Sequence, residues 1–139
     1  MCLSLVIIMP PQIIDMHRVD FNRRKHVRID RKSKWGNPYT LQNQDDEEER
    51  IEVLWKYALY LLRNQKLLNS IESLEGKTLA CWCFPKHKCH GQILGYLVDN
   101  PYLLDRCGKA CVDREAIAEK IFEGLGWEHK KKHVQTTLF

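Results

Sequence analysis

The run Cys81-Trp82-Cys83-Phe84-Pro85-Lys86-His87-Lys88-Cys89-His90 constrains this chain more than any other stretch. It concentrates metal-ligating and nucleophilic side chains at a point where one kind of local structure must give way to another. Thr78 to Trp82 reads as a buried strand and Phe84 to Lys88 as a polar turn. A helix is expected from near His90, because Ile93, Leu94, Leu97 and Val98 recur at helical spacing until Asn100-Pro101 ends it. On a strand, Cys81 and Cys83 project to one face and Trp82 to the other. The turn then brings Cys89 and His90 back toward that same end.

Thiolates and imidazole are ligands that zinc prefers, and iron also uses thiolates. Cys81, Cys83, Cys89 and His90 are therefore the candidate metal ligands. The spacing C-x-C-x5-C-H is not the paired CxxC of common zinc fingers, and adjacent Cys89 and His90 reach one ion together only with strain. Two other readings stand beside the metal. Helix N-terminal amides with Lys86 and Lys88 would lower the Cys89 pKa and make it a reactive thiolate, with Cys83 and His90 as catalytic companions. Alternatively the cysteines are small buried hydrophobes at the end of a core strand. Cys107 and Cys111 share a helical face and can add a ligand or simply pack.

The remaining pattern supplies a frame for this turn. Val19 to Asn22 and His26 to Asp30 read as short strands around Arg23-Arg24-Lys25. Ile51, Leu54, Trp55, Ala58, Leu61 and Leu62 form the apolar face of a helix from about Asp46 to Arg63. A shorter helix carries Leu67, Leu68, Ile71 and Leu74 and stops at Gly76. A last one runs from Asp113, a good N-cap, to Leu125. The expected class is α/β: a small single domain over residues 1–126, with a short mixed sheet flanked by helices and a flexible tail over 127–139. The chain has 139 residues, 44% of them hydrophobic, which is enough for one core and leaves little room for two. Leu3 to Met9 is too short to span a membrane and lacks the flanks of a signal peptide, and Met9 is itself a candidate start. Without an export signal the six cysteines read as thiols or ligands in a reducing cytoplasm.

The net charge of +4 is mild, but its distribution is not even. Arg18, Arg23, Arg24, Lys25, Arg28 and Arg31 precede Lys32 and Lys34, and the acidic run Asp45 to Glu49 follows. That pattern suits a solvated basic face and the acidic first turn of a helix, or a phosphate-binding role for some of the basic residues. The loop Ser33-Lys34-Trp35-Gly36-Asn37-Pro38-Tyr39 holds a Trp that is either a core plug or a ligand platform. If it folds over the cysteine turn, Arg31 and Lys34 can hold a phosphate, Asn37 can read a base edge, Trp35 can stack, and Gly91 lies at the helix N-terminus beside them.

This loop, together with Leu79-Ala80-Cys81-Trp82-Cys83 and Cys89-His90-Gly91 followed by Leu94 and Leu97, resembles the signature of domain-of-unknown-function family 4326, found in phages, bacteria and other genomes. The resemblance covers about Val19 to Val98. It implies one compact core over about residues 19–98, with a helical extension over about 101–126 outside it. It brings no activity with it.

Gln135-Thr136-Thr137-Leu138-Phe139 resembles the short peptides with which replication and repair proteins bind a sliding clamp. Leu138 and Phe139 would fill an apolar pocket with Gln135 at its rim. The basic segment, the Trp loop and this tail together point to a protein associated with a nucleotide or nucleic acid. It would be an enzyme using the Cys/His site, or a non-catalytic binding module with a structural metal or packed cysteines. A thiol redox switch is a third reading.

Overall fold

The computed structural model describes residues 12–84, 86–104 and 113–129. Leu3 to Met9, Cys107, Cys111 and Gln135 to Phe139 lie outside them. The chain is an α/β domain with a three-stranded sheet in the order β1-β3-β2. The strands are β1 (Gln12–Asp15), β2 (His26–Arg28) and β3 (Thr78–Cys81). Both pairings are parallel, so the sheet is not mixed. Central β3 buries Leu79, Ala80 and Cys81 completely or nearly so, as expected for a strand flanked on both edges and covered on both faces.

Val19 to Asn22 is not a strand. The two places beside β3 are taken by Gln12–Asp15 and His26–Arg28, and the segment between them loops out with Val19 and Phe21 exposed. The His26–Asp30 strand is present in shortened form: after Arg28 the ladder continues with the Ile29 amide donating to Ala80 O at 3.0 Å.

Helix α1 (Glu47–Arg63) begins where Asp46 Oδ1 accepts from the Glu49 amide, and its first turn carries Glu47, Glu48 and Glu49, which favour the positive end of the helix dipole. Its inner face buries the expected apolar residues, and also Arg50 and Tyr57. Asn64 caps α2 (Gln65–Asn69), and Ile71–Leu74 is a 3-10 turn, so the shorter helix is broken at Ser70. Helix α3 (His90–Asp99) follows β3 and packs on α1 and β1. Helix α4 (Arg114–Leu125) packs on α1 and α3. The helical extension thus belongs to the same core: Ile117, Ala118 and Ile121 are fully buried. Gly126 closes α4 at φ 75°, a left-handed cap that turns Trp127 back onto the Phe122 carbonyl at 2.8 Å.

That turn corrects the expected start of the tail. Trp127 and His129 are buried, and the His129 ring stacks on Trp55 with centroids 4.4 Å apart while its Nε2 meets Glu52 Oε1 at 2.7 Å. Trp127 and His129 belong to the core while Glu128 between them is exposed; aromatic area beside α1 outweighs the charge that makes this stretch look like tail.

Gly36 sits where the Trp35 loop crosses the end of β2. A Cβ there would lie 2.6 Å from Asp30 O and 2.7 Å from Arg31 Cα, both backbone atoms with no freedom to move aside. Gly36→Ala is expected to cost about 2–3 kcal/mol, read as a fall in Tm by thermal melting. An unchanged Tm would mean that the loop is not held against Asp30.

Candidate functional site

Parallel register sets Asp15 opposite Cys81 and Arg28 opposite Ala80, so the carboxyl ends of all three strands share one edge. Ligands of open α/β sheets bind beyond such edges. Cys81 is the last residue of β3, Cys83 lies just past it, and Cys89 is the N-cap of α3. The Cys89 sulfur accepts from the Gly91 amide at 3.3 Å while its own amide donates to Gln92 Oε1 at 2.9 Å, which fixes the sulfur at the helix start. The three sulfurs lie within 4.8 Å of one another: Cys81 to Cys89 is 3.2 Å and Cys81 to Cys83 is 4.0 Å. The strand-turn-helix reading therefore brings its three cysteines to one point.

The cluster divides its charge unevenly. Cys83 donates to Cys81 and the Cys89 sulfur lies 3.2 Å from it, and these contacts hold the Cys81 thiol far below its usual pKa. Cys83 is raised to about 11 by its bond to Cys81. Cys89 is pushed up by its contacts with Cys81 and Cys83 and by burial. The expected lowering at Cys89 is thus corrected: Cys81 is the thiol whose pKa is lowered, and Cys89 is pushed up. Lys88, which was to lower the Cys89 pKa, is instead paired with Glu47.

His90 borders the cluster. Its Nε2 lies 2.6 Å from the Ile29 carbonyl, which can only accept, so Nε2 carries the proton and Nδ1 is bare. That Nδ1 is 3.8 Å from the Cys89 sulfur, although it falls outside the set of donor atoms within 4.8 Å. Burial lowers the His90 pKa, so the ring is neutral near pH 7.

A cavity of about 220 Å³ opens over Cys81, Cys83 and His90. The Trp35 loop contributes to its wall, but not with all the residues expected. Arg31 and Asn37 line it. Arg31 donates to Asn37 O and Tyr39 O, and Asn37 Oδ1 accepts from the Tyr39 amide at 2.9 Å, so both side chains shape the loop. Trp35 is not a platform: it is 3% exposed, with its carbonyl bound by the Tyr57 hydroxyl at 2.8 Å. Lys34 stays outside, its Nζ 5.2 Å from the centre of the Trp35 ring. Gly91 is a packing position, where a Cβ would lie 2.8 Å from Ile29 Cδ1.

Tyr39 and Trp82 are the aromatics at the cavity, and Trp82 is 46% exposed. Its Nε1 donates to Asp30 Oδ2 at 3.0 Å and its ring meets His17 edge-on at 4.8 Å. Asp30 is also gripped by Arg28 through bonds of 2.8 and 2.7 Å. Burial opposes the Asp30 charge, but the bonds from Arg28 and Trp82 outweigh it and lower the pKa. Arg50 was missed as well. It is 5% exposed, lines the cavity, and donates through Nη2 to Gln44 O and Oε1. Its position one turn before Leu54, on the apolar face of α1, was the signal available.

The chain belongs to the family described as Domain of unknown function (DUF4326), whose model matches residues 14–100. It is 36% identical over 69 residues to the uncharacterized protein R718 of Acanthamoeba polyphaga mimivirus, an alignment covering 45% of this chain and 50% of that one. The chain spans about half the length of this curated relative. No solved structure matches. Among the described residues, no helix is long and apolar enough to cross a membrane.

The lowered Asp30 pKa has a sign for stability. Its contribution is present above the unfolded carboxylate value of about 3.9 and is lost as pH falls through the lower folded value. Asp30→Asn is expected to lower neutral-pH stability by about 1 kcal/mol or less and to flatten the acid limb of a pH-stability curve. An acid limb identical to that of the parent protein would mean that the Arg28–Asp30–Trp82 link is unimportant in solution.

Proposed function

We propose that Cys81, Cys83 and Cys89 hold one thiophilic metal ion, zinc or ferrous iron, and that the chain handles a nucleotide or nucleic acid beside it in the cytoplasm. The observation that carries this reading is the sulfur triangle, with edges of 3.2 and 4.0 Å and none above 4.8 Å. Thiolates around zinc, with bonds of about 2.3 Å, form a tetrahedron of edge about 3.8 Å. A bound ion would act as a Lewis acid or activate water if one coordination position stays open. Cys81, whose thiol pKa is lowered, would be the readiest ligand, and Cys83 and Cys89 would give up their protons to a bound ion.

His90 decides between enzyme and module. Its Nε2 is anchored on a backbone carbonyl, as the far nitrogen of metal-bound histidines commonly is. If Nδ1 closes the fourth position, the metal is structural and the domain is a binding module. If it does not, Nδ1 is left as a base beside an open metal position. The exposed basic residues around Arg23, Arg24 and Lys25 support a nucleic-acid backbone as partner in either case. The 3.2 Å approach of Cys81 to Cys89 favours, as a second reading, a thiol pair that an external oxidant closes to a disulfide. The Gln135–Phe139 tail remains the proposed contact with a sliding clamp.

Protein purified without an affinity metal is expected to carry about one equivalent of zinc or iron, lost in Cys83→Ser and Cys89→Ser. Metal-free protein with both variants folded normally would remove the metal reading. A peptide ending in Gln135 to Phe139 is expected to bind a sliding clamp and to lose binding on Leu138→Ala with Phe139→Ala. No binding to bacterial or eukaryotic clamps would remove that contact.

A further inference from the structure

We infer that the cavity over the cysteines is a phosphoryl-binding site centred on Arg50, taking the phosphate of a nucleoside monophosphate whose base rests on Trp82. This deepens the nucleotide reading above and rests on it, but not on the metal. The first observation is the state of Arg50. It is 95% buried by its 5% exposure, its side-chain hydrogen bonds go to neutral Gln44, and its Nε has no partner among the described residues. A guanidinium that has given up water without gaining a carboxylate is strongly stabilised by an anion in the adjoining space.

The charge around that space has the matching sign. Arg31, Arg50 and Lys88 line the cavity; facing them are Asp30, already neutralised by Arg28, and Cys81, the thiol whose pKa is lowered. Lys88 is shared with the exposed Glu47 at the rim. Size then narrows the ligand. At about 220 Å³ the cavity is smaller than common ligand pockets of roughly 300–1,000 Å³. It takes a phosphoryl group and part of a sugar, and leaves a base outside. On the cavity wall stands the Trp82 indole, half exposed and held in one orientation by Asp30 and His17. An aromatic surface fixed before binding is what stacking on a base requires.

The competing role for Arg50 is as counter-ion to the cysteine cluster, since its charge also favours the Cys83 thiolate. Calorimetry on the full chain with a purine nucleoside monophosphate, the parent nucleoside and inorganic phosphate separates the two, with metal content measured on the same samples. The monophosphate is expected to bind and to quench tryptophan fluorescence, a quench absent in Trp82→Phe. The nucleoside is expected to bind at least about tenfold more weakly. Arg50→Gln is expected to lose about tenfold or more in monophosphate affinity, with metal content and circular dichroism unchanged.

Unchanged monophosphate affinity in Arg50→Gln would overturn the inference. Loss of metal from that variant would overturn it too, by making Arg50 the counter-ion. If Arg50→Gln does not fold, the parent protein decides: a nucleoside bound as tightly as its monophosphate, or no binding of either, overturns the site. Parent protein that purifies without metal yet binds the monophosphate through Arg50 would count against the metal reading alone and support this one.

Discussion

Strand β3 is hydrogen-bonded along both edges, to Gln12–Asp15 on one side and to His26–Arg28 on the other, and both neighbours run parallel to it. Because the register is fixed twice, the chain must leave the sheet at one defined place after Cys81. Cys83 follows within the bend, and the chain returns as the N-terminus of α3 with Cys89 as its cap. The same edge receives Asp30 and the Ile29 carbonyl from the end of β2, which hold Trp82 and His90 respectively. The three cysteines, Trp82 and His90 are thus referred to one short ladder. A slip of that ladder by one residue would turn Cys81 to the opposite face of the sheet.

Electrostatics at this edge follow from crowding. Three sulfurs brought together do not ionise alike: the Cys81 thiol is lowered, and those of Cys83 and Cys89 are pushed upward. A thiophilic cation reverses that preference by replacing the protons. Arg50, buried with no carboxylate partner among the described residues, adds positive charge on the cavity side of the cluster, while the Arg28–Asp30 pair is neutral in sum. The arrangement suits a cation held by the sulfurs and an anion held next to it.

Much of this was legible in the sequence. Helices α1, α3 and α4 carry apolar residues at three- and four-residue spacing between Asp or Cys caps and Asn or Gly stops, so periodicity and caps agree. The cysteine turn was readable because two-residue spacing on a strand and a helix start leave few ways to arrange it. What failed was whatever depends on partners distant in the chain. Val19 to Asn22 alternates like a strand, but a strand needs an open edge, and Gln12–Asp15, short and carrying two polar residues among four, had already taken it. Trp35 and Trp82 look equally suited to stacking. They are told apart by partners distant in the chain: Trp35 packs into the core with Tyr57 on its carbonyl, and the Asp30 carboxylate holds the half-exposed Trp82. Trp127 and His129 sit in a charged stretch, and their burial depends on Trp55 and Phe122 being there to receive them.

The central claim is that the three sulfurs share one metal ion, and X-ray absorption at the metal edge tests it most directly. Cobalt- or zinc-loaded protein should give three sulfur scatterers at about 2.3 Å and one lighter nitrogen or oxygen neighbour. A first shell of nitrogen and oxygen alone, or a metal that washes away from folded protein, would contradict the account and leave Cys81, Cys83 and Cys89 as a cluster of thiols.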